Sequence, residues 1–172
     1  LFILQIMTNL TTDVAIIMGS DSDLPIVEAS FTILDSFGVN YTKNVMSAHR
    51  TPHEVMELIK TSEKNGCKVF IAAAGMASHL AGAVAAHSTR PVIGIPIESG
   101  GMGGMDSLLS TAMMPPGVPV ATVAVGKAGA KNSAILAVQI LATSDDALAA
   151  KLSEYKSNMR DEVLKKDQAL NS

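Results

Sequence analysis

Two kinds of apolar pattern alternate along this chain. Val14-Ala-Ile-Ile-Met18, Val69-Phe-Ile-Ala-Ala-Ala74 and Pro91-Val-Ile-Gly-Ile-Pro-Ile97 are nearly continuous apolar runs, the pattern of strands covered on both faces. Residues 41–46 and 118–125 read as two further strands, the first of them more polar. Between the runs, apolar residues recur every three or four positions, as a half-buried helix requires. Residues 24–37 carry Ile26, Ile33, Leu34 and Phe37 on one side, with Ser22 or Asp23 as the cap and Gly38 as the stop. A second helix starts at Thr51-Pro-His-Glu54, which has the form of a capping box with proline in the first turn, and closes at Gly66. An Ala-rich helix from about His79 to His87, a short one over 105–114 and an apolar one over 130–142 come next. The last, from Asp145 to about Asp167, places Leu148, Leu152, Tyr155, Met159 and Val163 on one stripe.

Strand–helix alternation at this spacing predicts parallel βαβ units with right-handed crossovers. The expected fold is α/β: a three-layer, doubly wound, flavodoxin-like parallel sheet of five strands with an extra C-terminal helix. It forms a single domain over residues 13–167, preceded by an N-terminal extension over 1–12 that is assigned no function. The closing helix is too polar on one side for a core and is expected on the surface or over a neighbour.

Composition narrows the partners. With 172 residues, 48% of them hydrophobic, and a net charge of -3, the chain can bury a core without metal or disulfide. A pI of about 5.8 and 3% aromatics provide neither the positive field nor the stacking surface that nucleic acid needs. The first apolar run is too short to span a bilayer and lacks the basic lead of a signal peptide, so no membrane partner is expected and the location expected is cytoplasmic. The single cysteine, Cys67, permits no internal disulfide and reads as a buried structural thiol. Only 17% of residues are charged, against roughly 25% in average proteins. Ala, Gly and Met could simply cover an ordinary surface; alternatively, much of that surface is buried against further copies of the chain.

Open α/β sheets bind ligands at the carboxyl ends of their strands, and chemistry-bearing residues collect there. Gly19, Ser20, Ser22 and Asp23 follow the first strand. Free N–H groups and small hydroxyls at that helix start suit a phosphate and the Asp suits ribose hydroxyls, while a plain helix cap is the competing reading. Ser47, Ala48, His49 and Arg50 follow the second strand. Arg50 offers a bidentate fork for phosphate and His49 can move a proton near neutral pH; a His–carboxylate pair pinning the loop is the alternative. Gly75, Ser78 and His79 follow the third strand, where His79 could equally contact a ligand or cap and pack. A glycine-rich stretch around Gly101 follows the fourth. His49 and His53 have H-x-x-x-H spacing, but Pro52 opens the helix between them and no third ligand is evident, so no metal is expected. Neither G-x-x-x-x-G-K-[ST] nor a strand-bound G-x-G-x-x-G is present, so no nucleoside triphosphate or NAD is indicated. What remains is a site for a phosphate, a sugar and one general acid/base, with a ribonucleotide monophosphate as substrate and no cofactor.

At these residues the chain resembles a known family. Met18-Gly-Ser-Asp-Ser-Asp23, Ser47-Ala-His-Arg-Thr-Pro52, Ala74-Gly-Met-Ala-Ser-His-Leu80, Asp106-Ser-Leu-Leu109 with Met114-Pro115, and Gly126-Lys-Ala-Gly129 resemble the N5-carboxyaminoimidazole ribonucleotide mutase family of purine biosynthesis, over about residues 14–142. The resemblance implies a cofactor-free isomerisation that moves a carboxylate from the exocyclic nitrogen to carbon 4 of the ring. It further implies His49 as the proton shuttle, with Ser20, Ser22, Asp23, Ser47, Arg50, Gly75 and His79 holding the nucleotide. A homo-octamer with active sites shared between subunits is also implied. The His79-Leu80 pair resembles the mutases more than the related carboxylases that take carbon dioxide directly. Ala81, Glu98 and Met113 stand where the family usually has proline, glutamine and glutamine. A carboxylase making the same product, and a nucleotide-sensing module on the same fold, are the competing functions.

Overall fold

The computed structural model describes residues 11–171. The expected extension over 1–12 lies outside them apart from its last two residues. Five parallel strands, β1 (Val14–Met18), β2 (Tyr41–Val45), β3 (Val69–Gly75), β4 (Val92–Ile97) and β5 (Ala121–Thr122), form one sheet in the order β2-β1-β3-β4-β5. This is the flavodoxin-like order expected from the alternation.

The two faces of the sheet reflect strand periodicity. Val14, Ile16 and Met18 of β1, with Ile71 and Ala73 of β3 and Ile93 and Ile95 of β4, face α1 (Leu24–Phe37) and α5 (Lys127–Ala142). Ala15 and Ile17, with Phe70, Ala72 and Ala74, face α2 (Pro52–Lys64) and α3 (Leu80–His87). All five β1 residues are buried, because helices cover both faces. The contact of α1 with α5 is close because small residues line it. The Ser30 and Ser133 hydroxyls both donate to the Ala130 carbonyl at 2.8 Å, so these buried hydroxyls are satisfied. On the other face α4 (Met105–Ala112) sits against Gly94, where an added Cβ would meet Thr111 Cγ2 at 2.4 Å.

Helix α1 stops where expected. Gly38 takes φ +72°, its N–H and that of Val39 returning to the Asp35 and Leu34 carbonyls. Three expectations are corrected. The start of α1 is not capped by the Ser22 or Asp23 side chain: a 3₁₀ turn over Asp21–Asp23 precedes it, and Ser20 caps that turn. Thr51 does not cap α2, for its hydroxyl is bound to the Ser47 backbone four residues earlier. The fifth strand shrinks from eight expected residues to two: Pro119 has no N–H for the ladder, and the edge keeps only isolated bonds such as Val123 N–H to Gly94 O at 3.1 Å.

The closing helix α6 (Asp146–Leu170) is longer than expected and has no buried residue. Its stripe packs only as far as Tyr155, which lies against Phe37 with ring centroids 5.6 Å apart; Met159 and Val163 are exposed. Twenty-five residues make a rod of roughly 37 Å. No helix among the described residues is long and apolar enough to cross a membrane.

Cys67 is fully buried, as its sequence setting suggests, and its thiol donates to the Val69 carbonyl. Burial pushes that thiol up to about 11. An unfolded thiol ionises at about 8.5, so the folded form alone keeps its proton between the two values, and stability falls as pH rises through this window. The destabilisation of Cys67→Ala relative to wild type at pH 7 is therefore expected to shrink by pH 11, as read from paired thermal melts.

Candidate functional site

The four loops at the carboxyl ends of β1 to β4 enclose a cleft of about 520 Å³. Its lining includes Ser20, Ser22, Asp23, Ser47, His49, Arg50, Gly75 and His79, so every site residue expected from the sequence reaches one cavity. Strand register explains the convergence. Met18 and Val45, the last residues of β1 and β2, pair with each other, so these two strands end level, while β3 runs two residues past Ala73, the other partner of Met18, to Gly75, level with the end of β4 at Ile97.

The loop after β1 is held by a reciprocal pair. Asp23 Oδ2 accepts the Ser20 N–H at 3.1 Å, while Ser20 Oγ accepts the Ser22 N–H and, at 2.8 Å, the Ser22 hydroxyl. Burial pushes the Asp23 carboxyl above its usual value and the nearby Asp21 charge adds to this, while the Ser20 N–H pulls the other way. The helix-cap reading of this segment is thus true of Ser20, and the cap leaves Asp23 lining the cleft.

The loop after β2 is a closed turn. Thr51 Oγ1 accepts the Ser47 N–H at 2.9 Å and donates to the Ser47 carbonyl at 3.0 Å, fixing the base from which His49 and Arg50 project. Ser47 Oγ accepts the Arg50 N–H at 3.3 Å. The Arg50 guanidinium reaches across to donate to the Gly19 carbonyl at 2.9 Å, tying the first two loops together. One of its nitrogens is thereby used for positioning, and the rest of the fork remains exposed for an anion.

His49 and His79, 30 positions apart, meet in the cleft: His49 Nε2 lies 2.8 Å from His79 Nδ1, with the rings edge to face. Among the described residues no carboxylate pins His49; its hydrogen-bond partner is a second imidazole. Such a bond needs one nitrogen to donate and the other to accept, so the tautomers of the two rings are set together. His79 begins α3 but makes no side-chain cap, so its ring is given over to this contact.

Other candidates fall away from the cleft. Ser78 is buried, its N–H bound to Ser110 Oγ and its hydroxyl to Thr111. His53 lies in a separate groove on α2 with Met46 and Glu57. The glycines around Gly101 do not line the cleft, but Ser99 and the exposed Met76 do. Neither belongs to the set expected from the sequence. Met76 takes a positive φ of 54°, which residue type alone does not signal. Asp106, in the first turn of α4, leaves Oδ1 buried without a partner among the described residues.

A model of the AIR carboxylase family matches residues 13–162. N5-carboxyaminoimidazole ribonucleotide mutase of Bacillus subtilis is 50% identical over 157 residues, covering 91% of this chain and 97% of that one. The mutase of Thermotoga maritima is 49% identical over 157 residues, covering 91% of both. The crystal structure of Treponema denticola PurE superposes with a TM-score of 0.84 at 28% identity, over 92% of this chain and 98% of that chain.

The imidazole pair is directly testable. Replacing His79 with Leu removes the hydrogen-bond partner of His49 Nε2. In ¹⁵N spectra of the histidine side chains the His49 Nε2 resonance is expected to move to the position of a solvent-exposed ring, and an unmoved resonance would count against the bond.

Proposed function

The chain belongs to the AIR carboxylase family, and from that premise we propose that its cleft converts N5-carboxyaminoimidazole ribonucleotide reversibly into 4-carboxy-5-aminoimidazole ribonucleotide in purine biosynthesis. The observation that supports this most is a proton-carrying His49–His79 pair opening into the same cleft as Arg50. A phosphate binder alone has no use for such a pair. The reading carries with it a cytoplasmic location and a reaction without metal or cofactor.

In this reading Arg50 and the serines at 20, 22 and 47 receive the phosphate. Asp23, with Oδ1 not bound by any described residue, accepts from the ribose hydroxyls. Protonated His49 gives its proton to the exocyclic nitrogen as the nitrogen–carboxyl bond breaks, and carbon dioxide leaves while the electron pair stays on nitrogen. Carbon 4 of the resulting enamine then attacks the trapped carbon dioxide. His49 takes the proton from carbon 4, which restores the aromatic ring and returns the imidazole to its starting charge. Positioned proton transfer contributes about 10² to 10⁴ in rate, and holding carbon dioxide beside carbon 4 lowers the entropic cost of recapture. His79 faces the base end of the nucleotide and holds the His49 ring in place through its Nε2 while the proton is given up and another is taken.

The surface supports assembly into a homo-octamer with shared sites. Met76, Met105, Leu109 and Met113 are all more than half exposed around the cleft and α4, next to the unpartnered Asp106 oxygen. Burial of these faces between copies accounts for the low charge content.

His49→Asn is expected to lower turnover by at least about a hundredfold while the nucleotide still binds, since it removes the proton carrier but keeps a smaller planar hydrogen-bonding group at that position. Arg50→Ala should raise KM about tenfold or more with a smaller change in kcat, as loss of a charge-assisted phosphate contact. Wild-type turnover of aminoimidazole ribonucleotide with bicarbonate, and none of the carbamate substrate, would identify a carboxylase. Binding without turnover of either would identify a sensing module. Leu109→Asp should move the sedimentation coefficient from an octamer's to a smaller species', and a monomeric wild type at micromolar concentration would refute the assembly.

A further inference from the structure

We propose that Ser99 is a substrate-contacting residue that donates its hydroxyl hydrogen to the carboxylate being transferred, an inference that rests on the functional reading above. Ser99 lies two residues past the end of β4, after Glu98, and lines the cleft. Its hydroxyl makes no hydrogen bond within the described residues. The serines around it are all engaged: Ser20 and Ser22 with each other, Ser47 with Arg50, Ser78 with Ser110 and Thr111. Ser99 therefore presents a hydroxyl that no described residue has claimed.

Its position is enforced by Gly75. A Cβ built on Gly75 would lie 1.8 Å from Ser99 Oγ and 2.9 Å from Ser99 Cβ. The Ser99 side chain thus occupies the space that any other residue at 75 would fill. Gly75 pairs with Ile97 at the end of β3, where the sheet sets its position. Glycine weakens a strand end, and here it admits a hydroxyl to the floor of the cleft.

Strand order tells which end of the nucleotide Ser99 meets. Across β2, β1, β3 and β4 the cleft passes from Arg50, through Ser20 and Asp23, to Gly75 and His79, and finally to Ser99. Arg50 is the one permanent cation among the lining residues and marks the phosphate end. The base and its carboxylate then lie toward β3 and β4. Substrate and product each carry a carboxylate there, a strong acceptor, whereas free carbon dioxide is a poor one and the decarboxylated nucleotide has none. A hydroxyl donor at this place holds the two carboxylated nucleotides and releases its grip while carbon dioxide is free to turn toward carbon 4.

The test compares two ligands by calorimetry on the full chain: 4-carboxy-5-aminoimidazole ribonucleotide and aminoimidazole ribonucleotide. Ser99→Ala is expected to weaken the carboxylated nucleotide about tenfold, the loss of one hydrogen bond to a charged group, and the decarboxylated one less than about twofold. The variant deletes an oxygen that no described residue binds, so its melting temperature should match wild type. Gly75→Ala displaces the Ser99 side chain and should reproduce the same selective loss, an independent check should Ser99→Ala fold poorly. Equal weakening of both nucleotides, or no weakening of either, overturns the proposal while leaving the functional reading intact. A wild-type protein that binds neither nucleotide overturns both.

Discussion

Everything in the cleft depends on the parallel register of β1 between its two neighbours. Because Met18 is level with Val45, β1 and β2 end at one height, while β3 and β4 end together two residues further on at Gly75 and Ile97, and the loops that follow are delivered around one cleft. A slip of one residue would turn every β1 side chain to the opposite face, exchanging the residues packed under α1 and α5 for those packed under α2 and α3. Burial on both faces therefore fixes the register, and the register fixes how far His49 stands from His79. The imidazole contact costs no special local structure. It is a consequence of where the core forces the strands to end.

Onto that frame the loops add tethers made almost wholly from short polar side chains. Ser20 with Asp23 and Ser47 with Thr51 each close a loop of a few residues with one or two hydrogen bonds, and Arg50 with the Gly19 carbonyl ties those two loops together. Ser20, Asp23, Ser47 and Arg50, which take part in these tethers, all line the cleft. Preorganisation of this kind means little ordering is left for the moment of binding. Residues that look like ordinary helix caps also line the cleft: Ser20 does both, and the Asp23 carboxyl is held at an unfavourable burial for a charge while accepting the Ser20 N–H.

Much of this is legible along the chain. The continuous apolar runs at 14–18, 69–74 and 92–97 admit only buried parallel strands, and Gly38 reads as a left-handed stop because few other residues tolerate that φ. The loop residues are legible because strand ends are where this class of sheet must bind. The capping of α2 is not, because the Thr51 hydroxyl has two possible backbone partners and only the turn geometry favours Ser47. The fifth strand looks too long because apolar alternation does not record the missing N–H of Pro119. Ser78 and Ser99 are indistinguishable as serines near a strand end, yet one is buried against α4 and the other lines the cleft.

The sequence by itself determined the periodicities, hence the elements, their order and the set of loops that had to converge, because these depend on local burial and on the handedness of the crossovers. It also carried the family's motifs, since a motif is a local string. Only the tertiary structure decided which atoms within those loops meet: that His49 is paired with another histidine, that Ser99 occupies the space Gly75 leaves, and that the stripe on α6 runs out of core at Tyr155. Those facts depend on distances between segments far apart in the chain, set by how the whole core packs, and no window of sequence contains them.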